Sequence, residues 1–186
     1  SEYRMDVFKE NNCGTVGLKK VEQIELEPTI EHTVEQPKLS MAVCSAPINT
    51  LPLDHPAVMY IKSRKIPERI WSELEYTDNF KDWLLSITDK YANRPMPKDK
   101  RIILTLKDKK GKIFGVQARS INPLSKLRYI TIKFDDNMPK IFGLDRLNTA
   151  LPYLIVEGPI DSLFLPNAIA ICGGDVSLSL KAIGDK

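Results

Sequence analysis

Two carboxylates, Glu157 and Asp161, lie four residues apart in the stretch YLIVEGPIDSLFL, on either side of a Gly158-Pro159 pair. Carboxylate oxygens suit a hard divalent cation such as Mg²⁺, provided both face one point. The local order offers a way to make them do so. YLIV reads as a strand, and functional groups gather at the carboxyl ends of strands in open parallel sheets, where Glu157 would project. Gly158 lets the backbone turn tightly, and Pro159 fits the first turn of a following helix. Asp161 then falls in that turn, near the positive end of the helix. A plainer reading has Asp161 capping the helix and Glu157 simply solvated. Taken alone, a Glu-Gly-x-x-Asp pattern leaves both readings open.

The net charge of +3 conceals an uneven distribution. Residues 1–59 carry 5 Lys+Arg against 9 Asp+Glu, residues 60–150 carry 20 against 11, and residues 151–186 carry 2 against 4. A basic middle followed by an acidic end is what a phosphate-rich ligand meeting a bound cation requires. An unevenly charged, solvated surface would give the same counts.

The rest of the composition narrows the class. Hydrophobic residues make up 42% of 186, enough for a sizeable core, and no apolar run reaches the length of a membrane span. The start, SEYRMDVFKENN, has neither a signal-peptide core nor an initiator Met, so the chain reads as one trimmed at its start and expected in the cytoplasm. Cys13, Cys44 and Cys172 are odd in number and far apart, which suits a reducing compartment. With no Cys-x-x-Cys pair and only His32 and His55 to assist, no zinc site is expected within these residues.

The elements that must hold the two acids follow from periodicity. Residues 1–50 read as a largely disordered linker: KKVEQIELEPTIEHTVEQPKLS is polar and keeps no apolar period. A short helix in EYRMDVFKE is the exception. Structure is expected from about residue 51. Asp54 is placed as the N-cap of a helix with Pro56 in its first turn, Val58 and Ile61 on its inner face, and a break at Ile66-Pro67. PERIWSEL and FKDWLLSI read as two further short helices, with Ile70, Trp71 and Leu74, then Phe80, Trp83, Leu84 and Ile87, on apolar faces. These aromatics are assigned to a core rather than to base stacking. RIILTL and KIFGVQA flank KDKKG as a hairpin with Gly111 in the turn, and RYITIKF alternates as a third strand. YLIVE, continuously apolar, is expected to be a strand buried on both faces. PIDSLFL follows as a helical turn and AIAICGG as another buried strand, giving β-turn-α-β, the start of an α/β sheet.

VEGPIDSLFL followed by AIAICGG resembles the first motif of the Toprim domain shared by bacterial-type primases, topoisomerases and related nucleases. The likeness extends upstream through the hairpin ending in GVQAR, through LRYITI and PKIFGL, and back to DHPAVMYIKSRKIPERIW. Their order is similar to that in the RNA polymerase domain of bacterial-type DNA primases, and the wording is nearest to primases of T-even-type bacteriophages. The resemblance covers about residues 53–186.

It implies an α+β fold: a primase-type N-terminal subdomain over 51–148, leading into the first part of a Toprim α/β domain over 149–186. It implies that Glu157 acts as a metal-site acid or general acid/base in nucleotidyl transfer, supported by Asp161. Arg119, Arg128, Lys140 and, more peripherally, Lys126 would bind nucleotide or nucleic-acid phosphates. Mg²⁺ or Mn²⁺ is the implied cofactor. The implied partners are a single-stranded DNA template, ribonucleoside triphosphates and a replicative helicase, with no membrane. Two expected parts are missing from these residues: the further acidic pair at the end of the next strand, for which Asp175 and Asp185 do not qualify, and a zinc-binding module ahead of the linker. The expectation is therefore a central fragment of a primase that does not make primers by itself. The alternatives are a non-catalytic nucleic-acid-binding module, or another Toprim enzyme such as a nuclease or topoisomerase; GVQAR and PKIFGL speak against the latter.

Overall fold

The computed structural model describes residues 3–8, 15–20, 45–173 and 183–184. The chain divides into two units, Ser1–Thr33 and Val34–Lys186. In the first, β1 (Tyr3–Phe8) pairs antiparallel with β2 (Thr15–Lys20), Tyr3 opposite Lys20 and Phe8 opposite Thr15. The short helix expected here is thus replaced by a strand. Tyr, Val and Phe favour extended backbone, and a partner strand supplies hydrogen bonds that one isolated helical turn cannot sustain. Residues 21–44 of the expected linker lie outside the described residues.

The second unit is built on a five-stranded antiparallel sheet in the order β3-β4-β5-β6-β7. Its strands are β3 (Ser45–Pro47), β4 (Leu74–Thr77), β5 (Arg101–Lys107), β6 (Ile113–Ser120) and β7 (Tyr129–Lys133). In this unit the described elements start at Ser45, ahead of the expected residue 51: Ser45–Pro47 pair with Glu75–Thr77, and Ile48 is fully buried. The β5–β6 hairpin turns as its sequence indicates. Gly111 adopts φ +80°, and the Asp108 carboxylate accepts from the backbone N–H groups of Lys110 and Lys112.

Helix α1 (Pro56–Ser63) is capped by His55 rather than Asp54, with His55 Nδ1 accepting from Ala57 N at 3.2 Å. Pro56 occupies the first helical position, which makes the residue directly before it the cap. PERIWSEL forms a 3-10 turn, Glu68–Glu73, that buries Ile70 and Trp71, while Leu74 leaves it to open β4. Helix α2 (Phe80–Ile87) starts at Asn79, whose side chain accepts from Asp82 N, and it buries Phe80, Trp83 and Leu84 as its spacing indicates.

The sheet carries a core on each face. On one, Phe80, Trp83 and Leu84 pack over Ile103, Val116, Ala118 and Ile132. On the other, Ile102, Leu104 and Leu106 join Val58 and Ile61 of α1 and the apolar residues of a second sheet. That second sheet has the order β8-β10-β9, from β8 (Ile141–Phe142), β9 (Leu154–Val156) and β10 (Ala168–Ile171). Strands β9 and β10 run parallel, joined through α3 (Pro159–Ser162), so the β-turn-α-β unit forms. Strand β9 is not buried on both faces, however: Leu154 and Ile155 are exposed. It lies at the sheet edge, and full burial falls to β10, which has a neighbour on each side.

Candidate active site

Strand register decides what faces the second sheet. Arg119 stands opposite Tyr129 on β7 and Ile102 on β5, and Gln117 stands opposite Thr131 and Leu104. Side chains two apart on a strand share a face, so Gln117, Arg119, Tyr129 and Thr131 extend the face of Ile102 and Leu104 as a polar patch. A slip of one residue would exchange them for Val116, Ala118, Ile130 and Ile132.

Thr131 joins this patch to the second sheet. Its hydroxyl donates to the Cys172 carbonyl at 3.1 Å and accepts from Gln117 Nε2 at 3.3 Å. Having one proton, Thr131 cannot also donate to Gln117, which fixes the orientation of the amide. Gln117 is buried, and its Oε1 has no hydrogen-bond partner among the described residues.

A cleft of about 650 Å³ opens between the two sheets, lined by Gln117, Tyr129, Thr131, Glu157, Gly158 and Cys172 among others. Glu157 therefore stands where its strand-end position places it, across from the polar face of β6 and β7. Asp161 folds back over Gly158, so close that a Cβ at Gly158 would collide with its Oδ2. Its charge reaches Tyr129. Burial raises the Tyr129 pKa, Arg119 and Arg64 pull it down, and Tyr60 and Asp161 push it up. Four ionisable groups, from α1 and its C-cap, β6 and α3, thus act on one ring.

A second cleft, of about 430 Å³, borders Arg119 on the α1 side and is lined by Tyr60, Arg64, Arg119, Ser120, Asn122 and Arg128 among others. Arg119 donates from Nε to the Tyr60 hydroxyl at 2.9 Å and lies 4.4 Å over the Tyr129 ring. Among the described residues, Arg64, Arg119 and Arg128 form no salt bridge, unlike Lys90, Lys100, Arg101 and Arg146. Three guanidinium groups around a cleft without carboxylate partners favour an anion.

Of the remaining sequence candidates, only Arg128 lines one of these clefts, and Lys140 and Lys126 line neither. Lys140 is exposed just before β8; its carbonyl accepts from Cys172 N at 2.8 Å, and its charge is felt by the Cys172 thiol in the Glu157 cleft. Burial nevertheless pushes that thiol up to about 12, so it is protonated and unreactive. Lys126 is exposed in the β6–β7 loop and lines neither cleft, whereas Arg128 lines the second. Asp175 and Asp185 lie outside the described residues. Tyr60, Arg64, Gln117 and Thr131 were not picked out from the sequence as site residues. Signals existed for three of them: Tyr60 and Arg64 stand one turn apart in YIKSR, and Gln117 is polar at i to Arg119 at i+2 in the otherwise apolar strand IFGVQAR.

The donor set determines what cation fits. Among the described residues no three His, Cys, Asp or Glu side chains converge as a metal cluster. Glu157 and Asp161 offer hard oxygens only. Mg²⁺ takes one or two carboxylates and completes its shell with water and phosphate oxygens, so such donors fit Mg²⁺ and not a four-ligand zinc site; of the two acids, Glu157 lines the cleft and Asp161 does not.

No family model matches the chain. The DNA primase of Enterobacteria phage T4 is 32% identical over 139 residues, covering 75% of this chain and 40% of the relative. The chain thus spans less than half the length of that relative. Among solved structures, the Escherichia coli primase catalytic core superposes with a TM-score of 0.53 at 17% identity, over 73% of this chain and 55% of that one. A DnaG catalytic core gives 0.51 at 19% identity, over 68% and 50%. A DnaG primase catalytic domain bound to ssDNA gives 0.51 at 15% identity, over 73% and 55%. Over these shares the chain is similar in sequence to a DNA primase and in fold to primase catalytic cores.

Proposed function

We propose that this chain carries the central part of a primase, and that the whole protein synthesises short RNA primers on single-stranded DNA. The observation that supports this reading most is the placement of Glu157 and Tyr129 around one cleft, with Arg119, stacked on Tyr129, lining a carboxylate-free arginine cleft beside it. One side can hold a cation and a reacting hydroxyl, and the other the phosphates that accompany them. The likeness to a primase domain bound to ssDNA adds to this. A replicative helicase and the host cytoplasm complete the setting that the family implies.

Primer synthesis attacks an α-phosphate with a 3′-hydroxyl and releases pyrophosphate. Glu157, with Asp161, would hold Mg²⁺ or Mn²⁺, which when bound supplies charge neutralisation and a more acidic attacking hydroxyl. The chain's own residues position the reactants. Arg119, Arg128 and Lys140 bind phosphates of template or nucleotide, and Lys126, exposed in the β6–β7 loop, adds charge to that loop. Tyr129 supports the Arg119 guanidinium from below. Gly158 leaves room for the Asp161 carboxylate to fold over it.

In the full-length protein, Arg119→Ala and Lys140→Ala should each weaken binding of single-stranded DNA or nucleotide. For a phosphate contact, the dependence of log affinity on log salt should flatten by about 0.7 for single-stranded DNA. Fluorescence anisotropy across a salt series measures both; if neither variant changed binding at any salt, the phosphate path lies elsewhere. Gly158→Ala should displace the flexible Asp161 side chain rather than unfold the protein. Mn²⁺ affinity, read by electron paramagnetic resonance, should fall about tenfold, with melting little changed. Unaltered Mn²⁺ affinity would remove Asp161 from the cation site.

A further inference from the structure

We infer that Tyr60 is a positioning residue, which holds the Arg119 guanidinium so that both its terminal amino groups are presented to a phosphodiester. This rests on the reading of Arg119 as a phosphate ligand and deepens it.

The inference comes from how Arg119 is held. An arginine side chain is long, and a free one must be ordered before it can grip a phosphate. Here two contacts order it, both from other elements. The Tyr129 ring lies under the guanidinium at 4.4 Å, which sets its plane. The Tyr60 hydroxyl accepts from Nε at 2.9 Å, which sets its rotation within that plane. The guanidinium has five N–H donors, and this bond uses the one on Nε. Among the described residues Nη1 and Nη2 donate to no partner, so four donors stay available in the fork geometry that matches two phosphate oxygens.

Tyr60 can do this because α1 is fixed independently of it. Ala57, Val58 and Ile61 are fully buried, and Tyr60 lies on the flank of the helix, half-buried, with Arg64 one turn further along the same cleft. The bond spans 59 residues of sequence and joins the helix to the sheet at the boundary of the two clefts. A Tyr ring contributing only packing would not need its hydroxyl on Nε.

The test uses the full-length protein and a labelled oligo-dT strand, with Tyr60→Phe, Arg119→Ala and the double variant compared by anisotropy at fixed salt. Tyr60→Phe removes one oxygen and keeps the ring, so folding should be retained; a melting curve checks this. Loss of a hydrogen bond to a charged group should weaken binding about three- to tenfold. Added to Arg119→Ala, the same substitution should change nothing further, because the residue it positions is gone. In the wild type, the Arg119 Nε–H signal in nitrogen-15 NMR should exchange slowly with solvent, and in Tyr60→Phe quickly. A Tyr60→Phe affinity equal to wild type, with Arg119→Ala still defective, overturns the positioning role and leaves the phosphate role of Arg119 intact. An equal loss in both backgrounds also overturns it, since Tyr60 then acts independently of Arg119. If Arg119→Ala binds normally, the phosphate reading of Arg119 fails and the inference falls with it.

Discussion

Replacing Glu157 by Gln in the full-length protein should lower Mg²⁺-dependent primer synthesis by at least about 100-fold while leaving single-stranded DNA affinity unchanged. The substitution keeps the size and shape of the side chain and removes only its charge. Glu157 is exposed at the rim of its cleft, and no hydrogen bond ties it to the described residues, so stability should move by no more than about 0.5 kcal/mol. Catalysis is another matter. A carboxylate that holds a charge-neutralising cation against a transferred phosphoryl would act mainly in the transition state, and removing one such interaction commonly costs about 10²–10³ in rate. DNA affinity should persist because the proposed phosphate contacts, Arg119, Arg128 and Lys140, are untouched. Single-turnover incorporation of a labelled ribonucleotide, with anisotropy on the same preparation, separates the two effects. Normal incorporation would sink the assignment of Glu157 as a site acid. A parallel loss of DNA binding would show that it supports the groove instead.

The second large effect should come from Arg101, far from the acids. Its side chain is completely buried, and every edge of the guanidinium is engaged. Nε and Nη2 grip the two oxygens of Asp99 at 2.6 and 2.9 Å, Nη1 donates to the Ala118 carbonyl at 3.1 Å, and Nη2 also donates to the Leu127 carbonyl at 2.9 Å. Its charge lies 5.4 Å from the Phe80 ring centroid. The Ser120 hydroxyl donates to the same Asp99 oxygen as Nη2. Arg101→Ala strands a largely covered carboxylate and two carbonyls and leaves a cavity beside Phe80. Breaking a buried pair on one side costs about 3–5 kcal/mol, corresponding to a fall in melting temperature of roughly 10 °C or more for a chain of this size. Urea unfolding measures it. A loss below about 1 kcal/mol would mean that water enters and resolvates Asp99, and that the network is not a structural anchor. The effect should reach function, because the Leu127 carbonyl anchors the loop just before Arg128 and Tyr129. DNA binding by Arg101→Ala should therefore weaken even at temperatures where the protein stays folded.

The comparison of Arg101 with Glu157 shows how differently two charged residues can be read from a chain. Glu157 is announced by its neighbours: an apolar run before it, Gly-Pro after it, and a second acid in the next turn. Arg101 opens an apolar strand, RIILTL, and looks like a solvated first residue; nothing local says that Asp99 and a carbonyl 26 residues away will enclose it. The same contrast runs through the fold. Gly111 and the inner face of α2 depend on spacing within a few residues, and they form as turn chemistry and periodicity indicate. The edge position of β9 depends on which strand lies beside which, and a continuous apolar run does not encode that.

The sequence by itself determined α1, α2, the β5–β6 hairpin, β7 and the β9-α3-β10 succession, the primase-like order of motifs, and the two acids with the basic residues that precede them. Each of these is a property of residue type and short spacing. Tertiary structure alone decided that Gln117, Arg119, Tyr129 and Thr131 share the face turned toward Glu157, since that depends on register across β5, β6 and β7. It alone made two clefts from one basic segment, divided at Arg119 and Tyr129. It alone brought Tyr60 to Arg119 across 59 residues. Hydrogen bonds and ring contacts form between side chains that packing brings together, and packing is set by the burial of Val58, Ile61, Ile102 and Leu104 in one core. A one-dimensional pattern specifies which residues must be buried, and the three-dimensional arrangement that buries them fixes which polar groups meet.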